Sequence, residues 1–150
     1  MKYKVSEEKQ IDIKFLYYSQ DDFYKILAIN ENNQEMGYLT FKIKNGFSRK
    51  LWLNKIETKQ EFQNQKVGTA LIGCLEYFAG VCNIDFIEGK FYPTNDYAKP
   101  FYLKHGYEIY KDEYEWFVDK TLNLENTKVE LKDKVIDFEV ENVETNDYSC

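Results

Sequence analysis

The first third of the chain alternates apolar and polar residues, which is the period of a half-buried β-strand. Four segments show this alternation: residues 11–18, 25–30, 36–44 and 51–58. The polar residues 31–34 predict a turn that joins the second and third segments as a hairpin. Only residues 19–24 separate the first strand from this hairpin, which leaves room for one helical turn. We therefore predict an antiparallel meander.

The spacing of the apolar residues changes after residue 58. Apolar residues then recur every three or four positions, as on one face of an α-helix: Leu71, Ile72, Leu75, Phe78 and Ala79. They predict a helix over residues 69–81, and the apolar run 84–92, which Pro93 stops, predicts a strand. A strand, a helix and a second strand in this order predict a right-handed βαβ unit with parallel strands.

Two shorter elements follow. Asn95 can cap a short helix that begins at residue 97 or 98 and ends at His105. Residues 107–110 and 114–118 predict a closing hairpin.

Residues 123–150 differ in character and are predicted as an extension of a domain formed by residues 1–122. Eight acidic residues stand against three lysines there, so most of the net charge of −6 lies in this extension. Its apolar positions predict strands over residues 127–131 and 134–140, paired as a docked hairpin. We expect a loose tail from about residue 143.

Composition narrows the class of protein. The 150 residues, 43% of them hydrophobic, suit one globular domain. No apolar stretch approaches the roughly 18 residues of a membrane span, and the N-terminus lacks the apolar core of a signal peptide. Three cysteines without CxxC spacing predict a reduced, cytoplasmic protein with neither a disulfide framework nor a zinc site.

Charge narrows the class of partner. No basic face stands out in the sequence, so nucleic acid is not an expected partner, and neither is a membrane. The acidic surface favours a cationic small molecule or a lysine-bearing peptide.

A polar segment around Gly68 connects the strand 51–58 to the helix. A loop of this kind directs several unpaired N–H groups, and the positive end of the helix dipole, at one point. Such a point binds anions, most often phosphate. Taken alone, the segment is equally well an ordinary turn between a strand and a helix.

Two runs of residues, in order and on the expected elements, carry a resemblance. The first is Gln63-Asn64-Gln65-Lys66-Val67-Gly68, and the second extends from Asn95 through Ala98, Phe101, Tyr102 and Gly106 to Tyr107. Together they resemble the pyrophosphate loop, (Gln/Arg)-x-x-Gly-x-(Gly/Ala), and the Asn-x-x-Ala-x-x-Phe-Tyr motif of the GNAT superfamily of N-acetyltransferases. The resemblance covers roughly residues 25–118.

The loop departs from the family pattern at one position. Lys66 replaces the first glycine in the register that begins at Gln63. A second register, from Gln65 to Ala70, satisfies the pattern literally. We prefer the first register, because it places the apolar residues from Leu71 onward where the helix of the family becomes apolar.

The resemblance implies an α/β (α+β) fold with a mixed, mostly antiparallel sheet, a central βαβ unit and a short or absent first helix pair. It implies acetyl-CoA as the co-substrate, bound where the strands 51–58 and 84–92 splay apart. The residues that would bind it lie on the first strand, on the loop and before the second helix: Thr58, Gln63, Asn64, Gln65, Lys66, Val67, Gly68, Thr69 and Asn95.

The implied activity is transfer of an acetyl group to a primary amine of a small molecule or peptide by direct attack. This reaction needs a base for the amine and an acid for the departing thiolate. Tyr102 matches the family position of the acid, although by itself it would be read as a packed aromatic. Glu57 is the candidate base, with an ordinary solvated carboxylate as the alternative. The alternative function is a non-catalytic GNAT-like domain that binds acyl-CoA or a protein partner.

The family places two helices after its first strand, and they form a wall of the acceptor site. We predict that residues 127–140 fill this gap, on the same subunit or on a partner's, and a homodimer is one assembly that would allow it. His105 is expected to be a cation at a helix C-terminus, without a chemical role. Cys74 is expected in the core.

Overall fold

The computed structural model describes residues 1–143, and over this range three helices pack on one mixed sheet. In chain order the elements are β1 (Lys2–Lys4), β2 (Gln10–Tyr18), β3 (Phe23–Ile29), β4 (Glu35–Lys44), β5 (Lys50–Thr58), α1 (Val67–Val81), β6 (Phe86–Lys90), α2 (Ala98–Lys104), β7 (Glu108–Lys111), β8 (Trp116–Thr121), α3 (Leu124–Leu131), β9 (Val135–Ile136) and β10 (Glu141–Val143). The sheet order is β7-β8-β6-β5-β4-β3-β2-β1-β9, and β10 pairs with β2.

The predicted meander is confirmed, since β2, β3, β4 and β5 pair antiparallel in sequence order. Along these strands every second side chain enters the core, as in the row Phe15, Ile26 and Leu39, whose members lie side by side and are almost fully buried. The alternation of apolar residues does not predict β1, a short strand that pairs with β2.

The predicted βαβ unit is also confirmed. β5 and β6 pair in parallel from Leu51 opposite Ile87 to Leu53 opposite Gly89, and α1 connects them. A Cβ atom on Gly89 would lie 2.6 Å from the carbonyl oxygen of Leu53, so a glycine is required for the two backbones to approach so closely.

Helix α1 packs across β1, β3, β4 and β5. The ring of Phe78 lies within 5.2 Å of the rings of Phe15, Tyr24 and Phe41, and this aromatic cluster forms the centre of the core. Burial of each side chain of this size contributes about 1.5–3 kcal/mol. The helix begins two residues before the predicted start because Val67 already belongs to the core.

All three helices lie on the same face of the sheet. Helix α3 contacts α1, and Phe101 of α2 packs against Gly68 of α1. Between β2 and β3 the chain forms only a turn, so the prediction of a short or absent first helix pair is confirmed. No helix of residues 1–143 covers the opposite face, which we call the open face.

The predicted C-terminal hairpin is wrong. Residues 124–131 form helix α3. Asn123 caps this helix by accepting a hydrogen bond from the Asn126 N–H. Thr127 and Leu131, one helical turn apart, are both buried on the same side of it. The second predicted strand shortens to β9, since the backbone of Asp137 has a left-handed φ of 57°.

The two C-terminal strands also do not pair with each other. β9 pairs antiparallel with β1, and β10 pairs in parallel with β2. The predicted loose tail lies, beyond its first residue, outside the described residues.

Candidate active site

A cleft opens in the sheet where β5 and β6 separate. Their pairing ends at Leu53 and Gly89, while β5 continues to Thr58 with β4 as its partner. On the side of β6, no strand among residues 1–143 pairs with the last five residues of β5. The backbone N–H and C=O groups on that side are therefore free to bind an extended molecule that carries amide groups.

The loop at the end of this cleft has the backbone of an anion site. Asn64 and Lys66 both have left-handed φ angles, 65° and 69°, and α1 begins directly after Lys66. No side chain caps the first N–H groups of the helix. These groups thus point outward with the positive end of the helix dipole behind them.

Lys66 occupies a position that favours glycine. A left-handed conformation costs an ordinary residue roughly 1–2 kcal/mol, which explains a glycine at this place in the motif. This geometry supports the register that begins at Gln63. The side chain of Lys66 is exposed, and its charge lies near enough to His105 to influence that ring.

Helix α2 packs directly on the loop. A Cβ atom on Gly68 would lie 2.8 Å from Cε2 of Phe101, so the glycine allows the two helices to meet. Next to this contact, Thr69 Oγ1 and His105 Nε2 are 3.4 Å apart. On the other side of the loop, Lys9 Nζ donates a 3.0 Å hydrogen bond to the carbonyl oxygen of Gln65.

Tyr102 lies in the middle of α2 with its ring buried. The ring packs edge-on against Phe91 and tilted against Tyr107, with centroid distances of 6.3 and 5.7 Å. Burial raises the pKa of Tyr102 to about 12, so the hydroxyl is protonated at neutral pH.

The hydroxyl of Tyr102 nevertheless reaches solvent. It has no hydrogen-bond partner within residues 1–143, and in the same range no buried side-chain polar atom lacks a partner. The oxygen must therefore be accessible at the surface of a buried ring. A protonated hydroxyl in this setting is a proton donor without a competing acceptor.

Glu57 lies on the open face near the end of β5. Its carboxylate accepts a 3.0 Å hydrogen bond from the Tyr38 hydroxyl, and Lys55 Nζ lies 3.5 Å away. Half of its side chain, 52%, is exposed. Glu57 and Tyr102 therefore lie on opposite faces of the sheet.

Comparison with known proteins decides the family. The model of the acetyltransferase (GNAT) family matches residues 2–107. The chain belongs to the GNAT family.

Solved structures agree with this assignment at the level of the fold. The PaiA N-acetyltransferase of Thermoplasma acidophilum in complex with coenzyme A is 21% identical, with a TM-score of 0.61 over 69% of this chain. The chain spans 65% of the length of that protein. A GNAT acetyltransferase of Staphylococcus aureus Mu50 is also 21% identical, with a TM-score of 0.62 over 71% of this chain and 72% of its own.

A more distant match is the NatC complex bound to Gag peptide and CoA, at 12% identity. Its TM-score is 0.59, over 66% of this chain and 71% of that one. No curated protein matches the chain in sequence.

The site fits acetyl-CoA, the co-substrate that the family resemblance implies. The unpaired side of β5 suits the amides of the pantetheine arm, and the loop before α1 suits the diphosphate. Among the described residues no group of three or more His, Cys, Asp or Glu could hold a metal ion. Within the same range no helix is both long and apolar enough to cross a membrane.

Asn95 lies in the turn before α2 and not at its cap. Its Oδ1 accepts a 3.0 Å hydrogen bond from the backbone N–H of Tyr97, and Tyr97 itself occupies the N-cap position. The prediction that Asn95 caps α2 is therefore wrong, because its side chain stabilises the turn that precedes the N-cap residue Tyr97. Its amide nitrogen has no partner within residues 1–143.

The expected cationic state of His105 is wrong. His105 does end α2, but burial and then the charges of Lys104, Lys120 and Lys66 lower its pKa to about 4. The imidazole is thus neutral at neutral pH. Lysines already supply the positive charge at this helix end, and the sequence alone does not show that they converge there.

The C-terminal segment does not line the cleft of its own subunit. Lys128 of α3 lies beside Gly80, near the end of α1 that is remote from the loop. Phe138 packs against Phe15 and Tyr77 on the helix face. The predicted acceptor wall is therefore not formed within one chain, and a contribution from a partner subunit stays a prediction. Cys74 is fully buried in the core, as expected.

Proposed function

We propose that this GNAT protein transfers the acetyl group of acetyl-CoA to a primary amine of a small molecule or a peptide. The observation that carries the proposal is the Tyr102 hydroxyl, which is protonated, accessible and without a hydrogen-bond partner in the described part of the chain. A group in this state is suited to protonate a thiolate as it departs.

The cofactor would be held at three places. The N–H groups of residues 64–69 would bind the diphosphate. The residues that would contribute to this part of the site are Gln63, Asn64, Gln65, Lys66, Val67, Gly68 and Thr69. The backbone near Thr58 pairs with the pantetheine arm, and the free amide of Asn95 contacts the same arm. The charge of Lys66 adds to the attraction for phosphate.

Two side chains would handle protons. Glu57 accepts the proton of the attacking amine, directly or through water, so that the amine nitrogen can bond to the acetyl carbon. Tyr102 gives its proton to the sulfur as the bond between carbon and sulfur breaks. Tyr38 and Lys55 orient the carboxylate of Glu57 for this role.

The alternative is a GNAT domain that binds acyl-CoA or a protein partner without turnover. Two observations favour it: Lys66 stands at the glycine position of the loop, and no helix pair follows the first long strand among residues 1–143. We also expect a cytoplasmic protein, no nucleic-acid partner and, where a partner subunit completes the acceptor site, a homodimer.

Release of free thiol from acetyl-CoA across a panel of small-molecule and peptide amines tests the proposal. Tyr102→Phe should lower turnover by about 100-fold and leave the affinity for acetyl-CoA unchanged. Tyr114→Phe, on an exposed tyrosine at the tip of the closing hairpin, is the matched control. Equal turnover of Tyr102→Phe and wild type would remove Tyr102 from the mechanism.

Binding is tested separately from turnover. Gly68→Glu places a carboxylate and extra volume against Phe101 at the diphosphate site, and it should abolish the thermal stabilisation of the protein by acetyl-CoA. Stabilisation of the wild type with no thiol release for any amine would favour the non-catalytic alternative.

A further inference from the structure

A second polar cluster lies behind Tyr102, between α1, α2 and β8. Glu76 of α1 accepts hydrogen bonds of 3.0 Å from both the Tyr107 hydroxyl and Lys120 Nζ, one on each carboxylate oxygen. Lys120 Nζ also donates a 2.8 Å hydrogen bond to the carbonyl oxygen of His105, the C-cap residue of α2. We call Glu76, Lys120 and Tyr107 the buried trio.

Burial of the charged groups of the buried trio costs free energy. Only 12% of the Glu76 side chain is exposed, and burial raises the pKa of Glu76 in spite of the nearby Lys120 and Tyr107. Apolar side chains of similar volume would stabilise such a site as well or better. We therefore expect the buried trio to fix the position of the elements that it joins more than to stabilise the fold.

The geometry concerns helix α2. With seven residues, α2 is too short to be stable by itself, so contacts at its ends decide where it lies. Phe101 fixes one side of it against Gly68. The buried trio fixes its C-terminal end, because Lys120 binds the carbonyl of His105 and Glu76 binds Tyr107, whose N–H in turn bonds to the Tyr102 carbonyl.

We propose that Glu76 and Lys120 are positioning residues, which hold α2 so that the Tyr102 hydroxyl meets the sulfur of the thioester. This proposal rests on the proposed function. The chain of contacts is short: from Glu76 and Lys120 to the end of α2, and from there one turn back to Tyr102. The ring of Tyr107, packed on the ring of Tyr102, is the direct link.

The open face offers a matched control. There Glu88 of β6 accepts hydrogen bonds from Lys50 and from Tyr110, and we call these three residues the open-face trio. It has the same chemical groups as the buried trio, but its side chains lie on the face of the sheet opposite to α2.

The experiment measures kcat and the KM for acetyl-CoA in Glu76→Gln and Lys120→Met, at a temperature where each variant is folded. A displacement of the acid by about 1 Å lowers kcat by about 100-fold, so we expect kcat to fall by 10- to 100-fold with KM changed less than about twofold. Lys120→Arg, which keeps the charge, should recover part of kcat. Glu88→Gln and Lys50→Met should retain the wild-type kcat.

A double variant separates positioning from general loss of structure. If the buried trio acts through Tyr102, Lys120→Met should have little further effect on kcat when Tyr102→Phe is already present. Independent, multiplicative effects of the two substitutions would overturn the proposal. So would a kcat within twofold of wild type for both Glu76→Gln and Lys120→Met.

Hydrogen exchange gives a readout that does not depend on activity. In Lys120→Met the amides of α2 should exchange at least 10-fold faster, while those in the middle of α1 keep their protection. If the wild type releases no thiol, the proposed function has failed, and the exchange of α2 still decides whether the buried trio holds this helix. Unchanged exchange of α2 would overturn the positioning role.

Discussion

The buried trio and the open-face trio contain the same three residue types in the same hydrogen-bonding arrangement. Their carboxylates expose nearly the same fraction of the side chain, 12% for Glu76 and 14% for Glu88. Yet burial raises the pKa of Glu76, whereas at Glu88 the hydrogen bonds from Lys50 and Tyr110 outweigh burial and lower the pKa.

The difference lies in depth and not in exposed area. Glu76 lies between the helices and the sheet, where protein replaces much of the distant solvent as well as the nearest water. Glu88 lies on the open face, where solvent begins just beyond the side chains that cover it. Solvent at that distance still stabilises a charge, because electrostatic interactions extend over many ångströms.

The largest expected contrast is in stability. Lys120→Met leaves Glu76 without its cation at depth, and we expect the free energy of unfolding at pH 7 to fall by about 2–3 kcal/mol. Lys50→Met should cost about 0.5 kcal/mol, because water replaces the lost partner of Glu88. Urea denaturation of the two variants measures both values. Equal losses would show that the two sites do not differ in depth as described.

A smaller contrast is expected for the tyrosines. Tyr107→Phe removes a fully enclosed donor and leaves one Glu76 oxygen unsatisfied, which should cost about 1–2 kcal/mol. Tyr110→Phe should cost less than about 0.5 kcal/mol, since its partner Glu88 can bond to water. The same denaturation experiment applies, and a larger loss for Tyr110→Phe would reverse the comparison.

The pH dependence of stability should have opposite signs at the two carboxylates. Above pH 4.5 the native state holds the proton of Glu76 more tightly than the unfolded chain does, so its contribution to stability falls as the pH rises through its native pKa. For Glu88 the native pKa lies below 4.5, so its contribution is present above pH 4.5 and is lost as the pH falls. Stability curves of Glu76→Gln and Glu88→Gln against wild type, over about pH 3 to 7, should diverge in these directions.

The smallest effect concerns His105, the only histidine of the chain. Lys120 is one of the charges that hold the pKa of His105 at about 4. Lys120→Met should therefore raise this pKa part of the way towards its usual value of 6.5, and Lys50→Met should leave it unchanged. NMR titration of the single imidazole measures the shift. An identical shift in both variants would show that it reflects a general change of the fold.

The elements that local periodicity determines could be predicted from the sequence. The stripe from Leu71 to Ala79 gives α1, and the left-handed φ of 84° at Gly106 explains why a glycine follows α2. The positive φ of Lys66 was not visible, since lysine carries no signal for that conformation.

Helix α3 is an element for which the pattern of apolar residues predicts the wrong type of secondary structure. The segment 127–131 contains apolar residues at alternate positions, which suggested a strand. Its true signals were the Asn123 cap and the four-residue spacing of Thr127 and Leu131. Both signals are present in the sequence, but each involves only one or two residues. Val129, which is exposed in the structure, completes an alternating pattern with Leu131 that is typical of a strand.

The buried trio itself could not be predicted. Its members come from α1, from the end of the second motif and from β8, and only the packing of α2 brings them together. The charge state of His105 follows from the same convergence. The spacing of the two motifs predicts the loop and Tyr102 as site residues, whereas the contacts that support these residues are long-range.

The sheet edge beside β2 is built from strands at the two ends of the described chain. Lys2 lies opposite Ile136, and Leu16 lies opposite Glu141. Pairings so distant in sequence form slowly, because a long loop must close before they can be made. During synthesis β1 can pair early with residues 10–12 of β2, but residues 16–18 stay an unprotected edge until β10 leaves the ribosome. Edges of this kind pair with other chains. The yield of native protein thus depends on the interval between the synthesis of β2 and that of β10, as well as on the stability of the finished fold.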